Sequence, residues 1–148
     1  MMHDLSVTRL MAPPPAAVWR AMTEHFAEWW CPKPWRVELI ALEWRAGGRS
    51  AMEMHGPDGA TSGRLEAVVL EVVPERRFAF TDAFTAGWIP QAPFMIGLFE
   101  LAPEGSGTRY TATARHWDPD ARRRHEEMGF HQGWGIVAEQ LEAVAARL

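Results

Sequence analysis

The chain has 148 residues, of which 47% are hydrophobic and 23% charged, a composition typical of one soluble globular domain spanning residues 1–148. Its formal net charge of -4 argues against general affinity for nucleic acid or for an anionic membrane. With a single cysteine, no signal-peptide pattern and no apolar run of about 18 residues, we expect a cytoplasmic protein without disulfides, cysteine metal clusters or membrane insertion.

The N-terminal part of the chain is predicted to form a strand followed by two short helices. Apolar and polar residues alternate in residues 3–11, which indicates a strand that the prolines at 13–15 end. In "AAVWRAMTEHFAEWW" the large apolar side chains recur at helical spacing, and we expect a break near Thr23–His25. The prolines of "CPKPW" then end the helical region.

Strands separated by turn signals are predicted from Trp35 to Trp117. The strand segments are "WRVELIALEW", "SAMEMH", "SGRLEAVVLEVV", "FAFTDAF", "PFMIGLFEL" and "TRYTATARHW". Gly47–Gly48 and Asp58–Gly59 are strong hairpin signals, because glycine adopts positive φ without a steric penalty. Connections this short can join only antiparallel neighbours.

A long helix is predicted to close the chain. Asp118 is placed to cap it and Pro119 to occupy its first position, and the apolar residues beyond them form one stripe. We expect this helix to run to the C-terminus over about 28 residues, or about 40 Å.

The order of these elements predicts an α+β helix-grip fold. It would consist of a curved antiparallel sheet of about six to seven strands wrapped on the long C-terminal helix, with two short N-terminal helices. A single sheet of this length must curl, and only the last helix is long enough to cover its concave face. Such an arrangement commonly encloses an elongated space.

Three glycines stand in "HEEMGFHQGWG", inside the predicted last helix, where each costs roughly 0.5–1 kcal/mol relative to alanine. At 100° per residue Gly133 falls within the apolar stripe and Gly129 beside it, whereas Gly135 falls on the far side. The first two glycines would either permit close contact with the sheet or widen a pocket. Neither explanation applies to Gly135.

The segments "PPPAAVWRAMTEHFAEWWCPKPW", "EWRAGGRSAMEMHGPDG", "GRLEAVVLEVVPERRFAFT", "GTRYTATARH" and "HEEMGFHQGWGIVAEQLEAV" carry a family resemblance. Together they resemble the bacterial SRPBCC (START-like) superfamily, in the branch related to the activator of heat-shock protein ninety ATPase. The resemblance implies a helix-grip fold with an interior cavity. It implies no catalytic set, because the superfamily includes lipid carriers, hormone receptors, cyclases and co-chaperone domains.

Aromatic side chains of the helical cap, the sheet, the 82–94 loop and the last helix are the candidates to line such a cavity. They are Trp29, Trp30, Phe80, Phe84, Trp88, Phe94, Tyr110, Phe130 and Trp134, together with the imidazole of His116. Asp82 and Glu100 are the polar candidates on the concave face. The alternative for the aromatic set is a hydrophobic cluster that closes the barrel mouth. For the polar residues, the alternative is solvent exposure at strand ends or a satisfied core hydrogen bond.

Metal and cofactor motifs are not predicted. "HEEMG" begins like the zinc-protease helix, but Gly129 stands where the second histidine is needed, and His131 lies about 240° around the helix from His125. We therefore expect both histidines to face solvent. The arginines of "ARRRH" are interpreted as a solvated helix face, with an anion-binding patch as the alternative.

Three functions remain open from the sequence. The first is binding of a small apolar or amphipathic molecule between the last helix and the sheet. The second is a cyclase- or hydrolase-type enzyme in which Asp82, Glu100, Tyr110 or His116 moves protons, which needs two titratable groups within hydrogen-bond reach. The third is a co-chaperone-like protein-interaction domain, and the sequence leaves homodimerisation open.

Overall fold

A computed structural model describes residues 3–148 as nine strands and four α-helices. In chain order these are β1 (His3–Met11), α1 (Pro15–Glu24), α2 (Phe26–Trp29), β2 (Arg36–Leu42), β3 (Arg49–His55), β4 (Thr61–Val73), β5 (Arg77–Thr81), β6 (Phe84–Thr85), β7 (Ile89–Pro90), β8 (Met95–Glu104), β9 (Gly107–His116), α3 (Pro119–Glu127) and α4 (Phe130–Ala145). A single 3-10 turn at Pro57–Gly59 joins β3 to β4.

Seven strands form one antiparallel sheet in the order β1-β9-β8-β5-β4-β3-β2, and β6 pairs with β7 in a separate ribbon. This confirms the predicted α+β helix-grip architecture and its strand number. The ribbon was not predicted, because its two strands have only two residues each.

Helix α4 lies across the inner face of the sheet. Its buried side chains from Val137 onward belong to the same core cluster as Phe99 and Tyr110, which point inward from β8 and β9. Glu142 fixes the helix to β1: one carboxylate oxygen accepts a hydrogen bond from Arg9 Nε (2.7 Å), and the other accepts one from the backbone N–H of Ala12 (3.0 Å).

Period-two alternation explains the inner face of β9. Tyr110, Ala112, Ala114 and His116 are all buried, as their shared face predicted. The neighbouring strand β8 contributes Gly97 rather than a side chain, because a Cβ there would lie 2.5 Å from the ring of Phe80. The sheet therefore leaves room for an aromatic ring on its inner surface.

The N-terminal helices break at His25, as predicted near Thr23–His25, with φ -127° and ψ 33° at that residue. The break turns Trp29 into the core, where it is fully buried and its indole N–H donates to the carbonyl oxygen of Met22 at 3.3 Å.

The predicted continuous C-terminal helix of about 28 residues is wrong: the structure divides it into α3 and α4. Asp118 caps α3 as expected, because its side chain accepts a hydrogen bond from Ala121 N at 2.8 Å. Gly129 ends this helix with φ +92°, a left-handed conformation that glycine adopts readily. The need for positive φ explains Gly129 better than close contact with the sheet does.

Alanine substitutions should therefore change stability in opposite directions at two of these glycines. We expect Gly129→Ala to lower the free energy of unfolding by about 1 kcal/mol, since φ is +92° there. Gly135→Ala should raise it by about 0.5–1 kcal/mol, because Gly135 is inside α4 and no heavy atom lies within 4 Å of its Cβ position. Urea denaturation measures the free energy of unfolding of both variants. Changes of the same sign and size would contradict the assignment of Gly129 to a break between α3 and α4.

Candidate functional site

A cavity of about 570 Å³ lies between α4 and the inner face of the sheet. Strands β3, β4, β5 and β8 supply its floor, α4 supplies Gly133, Trp134 and Val137, and the segment after α2 supplies residues 30–32. Its deep wall is mostly apolar and buried, with Met52 and Phe99 among its members. Its rim is exposed and includes polar side chains such as Arg64 and Gln91.

Five of the predicted site residues line this cavity: Trp30, Phe80, Asp82, Phe94 and Trp134. Trp30 contacts the other rings of the cavity wall, with centroid distances of 5.9 Å to Phe80 and 6.4 Å to Trp134. The ring of Trp134 also stacks on Phe99 at 5.6 Å. These rings leave an aromatic surface open to the cavity.

Other predicted aromatic residues lie outside the cavity wall. Trp29, Tyr110 and Phe130 are fully buried parts of the core, and burial raises the pKa of the Tyr110 hydroxyl far above its usual range. Phe84 and Trp88 pack edge-on within the β6–β7 ribbon at 6.0 Å, and 56% of Trp88 is exposed.

Glu100 does not point into the concave face, contrary to expectation. It is exposed on the opposite face of β8, where it borders a surface depression with Arg76, Arg77 and Arg109. Its neighbours Phe99 and Leu101 occupy the inner face instead. The alternation along β8 therefore places this carboxylate across the sheet from the cavity.

The structure places His116 behind the cavity wall, next to a histidine that the sequence analysis assigned to solvent. His125 lines the cavity and is only 7% exposed, and its Nδ1 lies 2.9 Å from Nε2 of His116. Removal from water, followed by the charge of His116, lowers the pKa of His125 to about 4. One signal in the sequence could have indicated the burial of His125. It lies four residues after Ala121 and so on the same face of α3, and both residues are buried.

Asp82 holds the loop that borders the cavity. Its Oδ1 accepts hydrogen bonds from the backbone N–H groups of Phe94 (2.8 Å) and Met95 (3.2 Å). Gln91, on the same loop, donates from its side chain to the carbonyl oxygen of Glu66 at 2.7 Å. The bonds of Asp82 join the two ends of the loop, next to β5 and β8, and the bond of Gln91 joins the loop to β4, so the sheet determines its position.

Gln140 of α4 fixes the opposite rim. Its amide nitrogen donates to the carbonyl oxygens of Trp29 (3.1 Å) and Cys31 (3.0 Å), and its oxygen accepts from Lys33 N at 3.0 Å. Cys31 itself lines the cavity as a free thiol, and burial raises its pKa.

The helical glycines differ in what lies beside them. A Cβ at Gly133 would meet only Pro32, 3.9 Å away, and both residues border the cavity. Gly133 therefore leaves space beside the helix, which agrees with the second of the two explanations that the sequence left open. Gly135 faces no heavy atom within 4 Å, and the structure gives no reason for a glycine there.

Outside the cavity, strands β2 and β3 bring together Glu38, Glu53 and His55, whose ligand atoms all lie within 4.8 Å of one another. This group could hold a metal ion, a site that the sequence did not predict.

Two arginines of α3 have partners within the protein. Arg123 pairs with Asp120 at 2.8 Å, and the guanidinium carbon of Arg124 lies 5.6 Å from the centre of the Phe94 ring.

The seven-stranded sheet closed around α4 and a cavity defines a helix-grip, START-like protein. The family model for "Activator of Hsp90 ATPase homolog 1-like protein" matches residues 12–146, and the chain belongs to this family. Within residues 3–148, none of the helices has the length and apolar character needed to span a bilayer.

Solved bacterial structures share this fold. A Nitrosomonas europaea protein is 39% identical, with a TM-score of 0.91 over 97% of this chain and 94% of its own. A Silicibacter pomeroyi protein of the same family is 23% identical, with a TM-score of 0.72 and 97% coverage of both chains. An Arthrobacter aurescens protein is 22% identical, with a TM-score of 0.82 over 98% of this chain and 87% of its own. No curated protein matches the sequence.

Proposed function

We propose that this protein binds a small apolar or amphipathic molecule in the cavity between α4 and the sheet. The observation that carries this proposal is the cavity of about 570 Å³, which falls within the 300–1,000 Å³ typical of ligand sites. The fold of the family supports ligand binding in general. We place this activity in the cytoplasm, where a free Cys31 thiol remains reduced.

The chemistry of the wall supports an aromatic or lipid-like ligand. Trp30, Phe80 and Trp134 present ring surface, and burying such surface contributes about 25 cal/mol per Å². Most polar groups lie near the rim, and the exceptions are His125 and Ser50, which are buried. An apolar body with one or two polar groups complements this distribution.

The enzyme hypothesis receives less support. Of its four named residues, Glu100 is on the other face of the sheet and Tyr110 is sealed in the core. His116 and His125 are two titratable groups within hydrogen-bond reach, at 2.9 Å, but His116 lies behind the cavity wall, and among residues 3–148 neither ring bonds to a carboxylate. The binding function needs none of these proton transfers.

Filling the cavity from α4 should weaken binding. We expect Gly133→Met to weaken binding of N-phenyl-1-naphthylamine by about tenfold or more, because the new side chain extends into the space beside Pro32. Gly135→Met is the matched control: it changes glycine to methionine in the same helix where no heavy atom lies within 4 Å, and should bind like the wild type. Fluorescence titration measures all three affinities.

Two results would contradict the proposal. One is a wild-type protein that does not bind the probe, and the other is equal affinity in Gly133→Met and Gly135→Met. Native mass spectrometry of protein purified from its host adds an independent test, because a resident ligand should appear as an added mass in the wild type and be lost in Gly133→Met.

A further inference from the structure

Nε2 of His125 is a nitrogen of the cavity wall without a hydrogen-bond partner among residues 3–148. The other ring nitrogen, Nδ1, is engaged with His116 at 2.9 Å. In this part of the chain every buried side-chain nitrogen or oxygen that is sealed from solvent has a partner. Nε2 therefore keeps contact with open space, and the space beside this ring is the cavity.

The hydrogen bonds of the His116–His125 pair determine whether Nε2 of His125 is a hydrogen-bond donor or an acceptor. Nδ1 of His116 lies 2.8 Å from the carbonyl oxygen of His3, and a carbonyl oxygen only accepts, so this Nδ1 carries the hydrogen. In the uncharged pair, Nε2 of His116 is then an acceptor, and Nδ1 of His125 donates to it. The lone pair of the His125 Nε2 atom remains directed away from His116 and available to a ligand.

The surroundings of His125 favour the uncharged ring. Phe94, Phe130 and Trp134 lie around it, with centroid distances of 5.0, 5.1 and 5.8 Å. Burial lowers its pKa to about 4, which leaves the imidazole neutral near pH 7. Water in the cavity can donate to this acceptor. A ligand that displaces the water must donate a hydrogen bond in its place, because an acceptor left unpaired in such apolar surroundings is unfavourable.

We propose that the ligand of this cavity is an apolar, ring-sized molecule that carries a hydroxyl or amine donor, and that Nε2 of His125 accepts its hydrogen bond. This inference rests on the proposed binding function and adds the chemical class of the ligand. His116 fixes the tautomer of His125 by accepting the hydrogen of Nδ1.

Competing acceptors in the cavity wall include the hydroxyl of Ser50, which is buried like His125 and would keep the preference for a donor ligand in a His125→Phe variant, and the carboxylate of Asp82. Oδ1 of Asp82 already accepts two backbone hydrogen bonds, and the residue is half-exposed near the rim. Water competes for an exposed carboxylate, whereas His125 is buried among rings, so the deeper acceptor discriminates better between ligands. Asp82→Asn keeps an oxygen for the two backbone N–H groups and thus separates the two residues' contributions.

The test compares 2-naphthol with 2-methoxynaphthalene, which has the same ring system but lacks the hydroxyl hydrogen. Isothermal titration calorimetry at pH 7.5 with the full chain should show that the wild type prefers 2-naphthol by about tenfold. His125→Phe should bind both compounds with similar affinity, and Asp82→Asn should retain the preference.

The outcomes separate this inference from the function on which it rests. Equal affinities in the wild type, a preference kept by His125→Phe, or one lost in Asp82→Asn would overturn the donor assignment and leave apolar binding intact. No binding of either compound would overturn both. Nitrogen-15 NMR needs no variant: the Nε2 resonance of His125 should shift with 2-naphthol but not with 2-methoxynaphthalene, and an unchanged resonance at saturation would overturn the inference.

Discussion

Replacement of Trp29 by alanine should lower the free energy of unfolding by about 3–5 kcal/mol, the range for deleting a large buried aromatic side chain. Trp29 is fully buried, and its ring lies 5.4 Å from Phe26 and 6.3 Å from Phe99. The substitution would leave a void beneath α2 and remove the indole N–H that donates to Met22. Chemical denaturation followed by far-UV circular dichroism measures the loss.

Trp117→Ala is the matched control, since it deletes the same side chain where 50% of it is exposed. We expect this variant to change stability by less than about 1 kcal/mol. A similar cost at both positions would contradict the placement of Trp29 in the core.

Acidification from pH 7 to pH 5 should destabilise the protein by about 2 kcal/mol through His125. Its pKa falls from 6.5 to about 4 on folding, so the unfolded chain takes up a proton that the folded chain refuses. Stability is therefore lost as the pH falls through this window, and the full contribution is about 3 kcal/mol. The groups packed on His125 are His116 and the rings of Phe94, Phe130 and Trp134, and no carboxylate within residues 3–148 forms a hydrogen bond with it.

The measurement is the free energy of unfolding at several pH values for the wild type and two variants. His125→Gln should flatten the dependence between pH 7 and pH 5. His131→Gln should retain it, because the side chain of His131 is 51% exposed. Below pH 4.5 the lowered pKa values of Glu28, Glu71 and Glu142 add further acid sensitivity, so the informative window lies above that value. A wild type with constant stability from pH 7 to pH 5 would contradict the buried neutral state of His125.

The sheet was predictable because its signals are local. Alternation along β9 placed Tyr110 and His116 on one face, and glycine turns marked the ends of β2 and β3. The same reasoning failed for Glu100, since an apolar run such as "FMIGLFE" does not show which alternate residues face inward. The pairing of Phe99 with Phe78 on the inner face decides this, and that contact joins two separate strands.

The break between α3 and α4 was missed for a different reason. The apolar stripe continues across Gly129, and a glycine inside a helix costs only about 1 kcal/mol, so a continuous helix was the simpler interpretation. What ends α3 is the positive φ of that residue, which no periodicity reveals.

The aromatic part of the site was foreseen better than its polar part. Trp30, Phe80, Phe94 and Trp134 border the cavity because large rings near the end of a helical cap and on a concave sheet converge there. The pairing of His125 with His116 could not be inferred, because the two residues come from different elements, α3 and β9. Only the angle between α3 and the sheet brings their rings together.

Gln140 has a consequence for how a molecule would exchange with the interior. Its three hydrogen bonds hold the segment from Trp29 to Lys33 on α4. This segment forms one side of the cavity opening, and that side can therefore move only together with the helix. The facing side holds Met128, 75% exposed beside the turn at Gly129, and Ala92 of the 82–94 loop. The residence time of a bound ligand should therefore depend on the side of the opening that holds Met128. Substitutions at Met128 should change the dissociation rate more than they change the affinity.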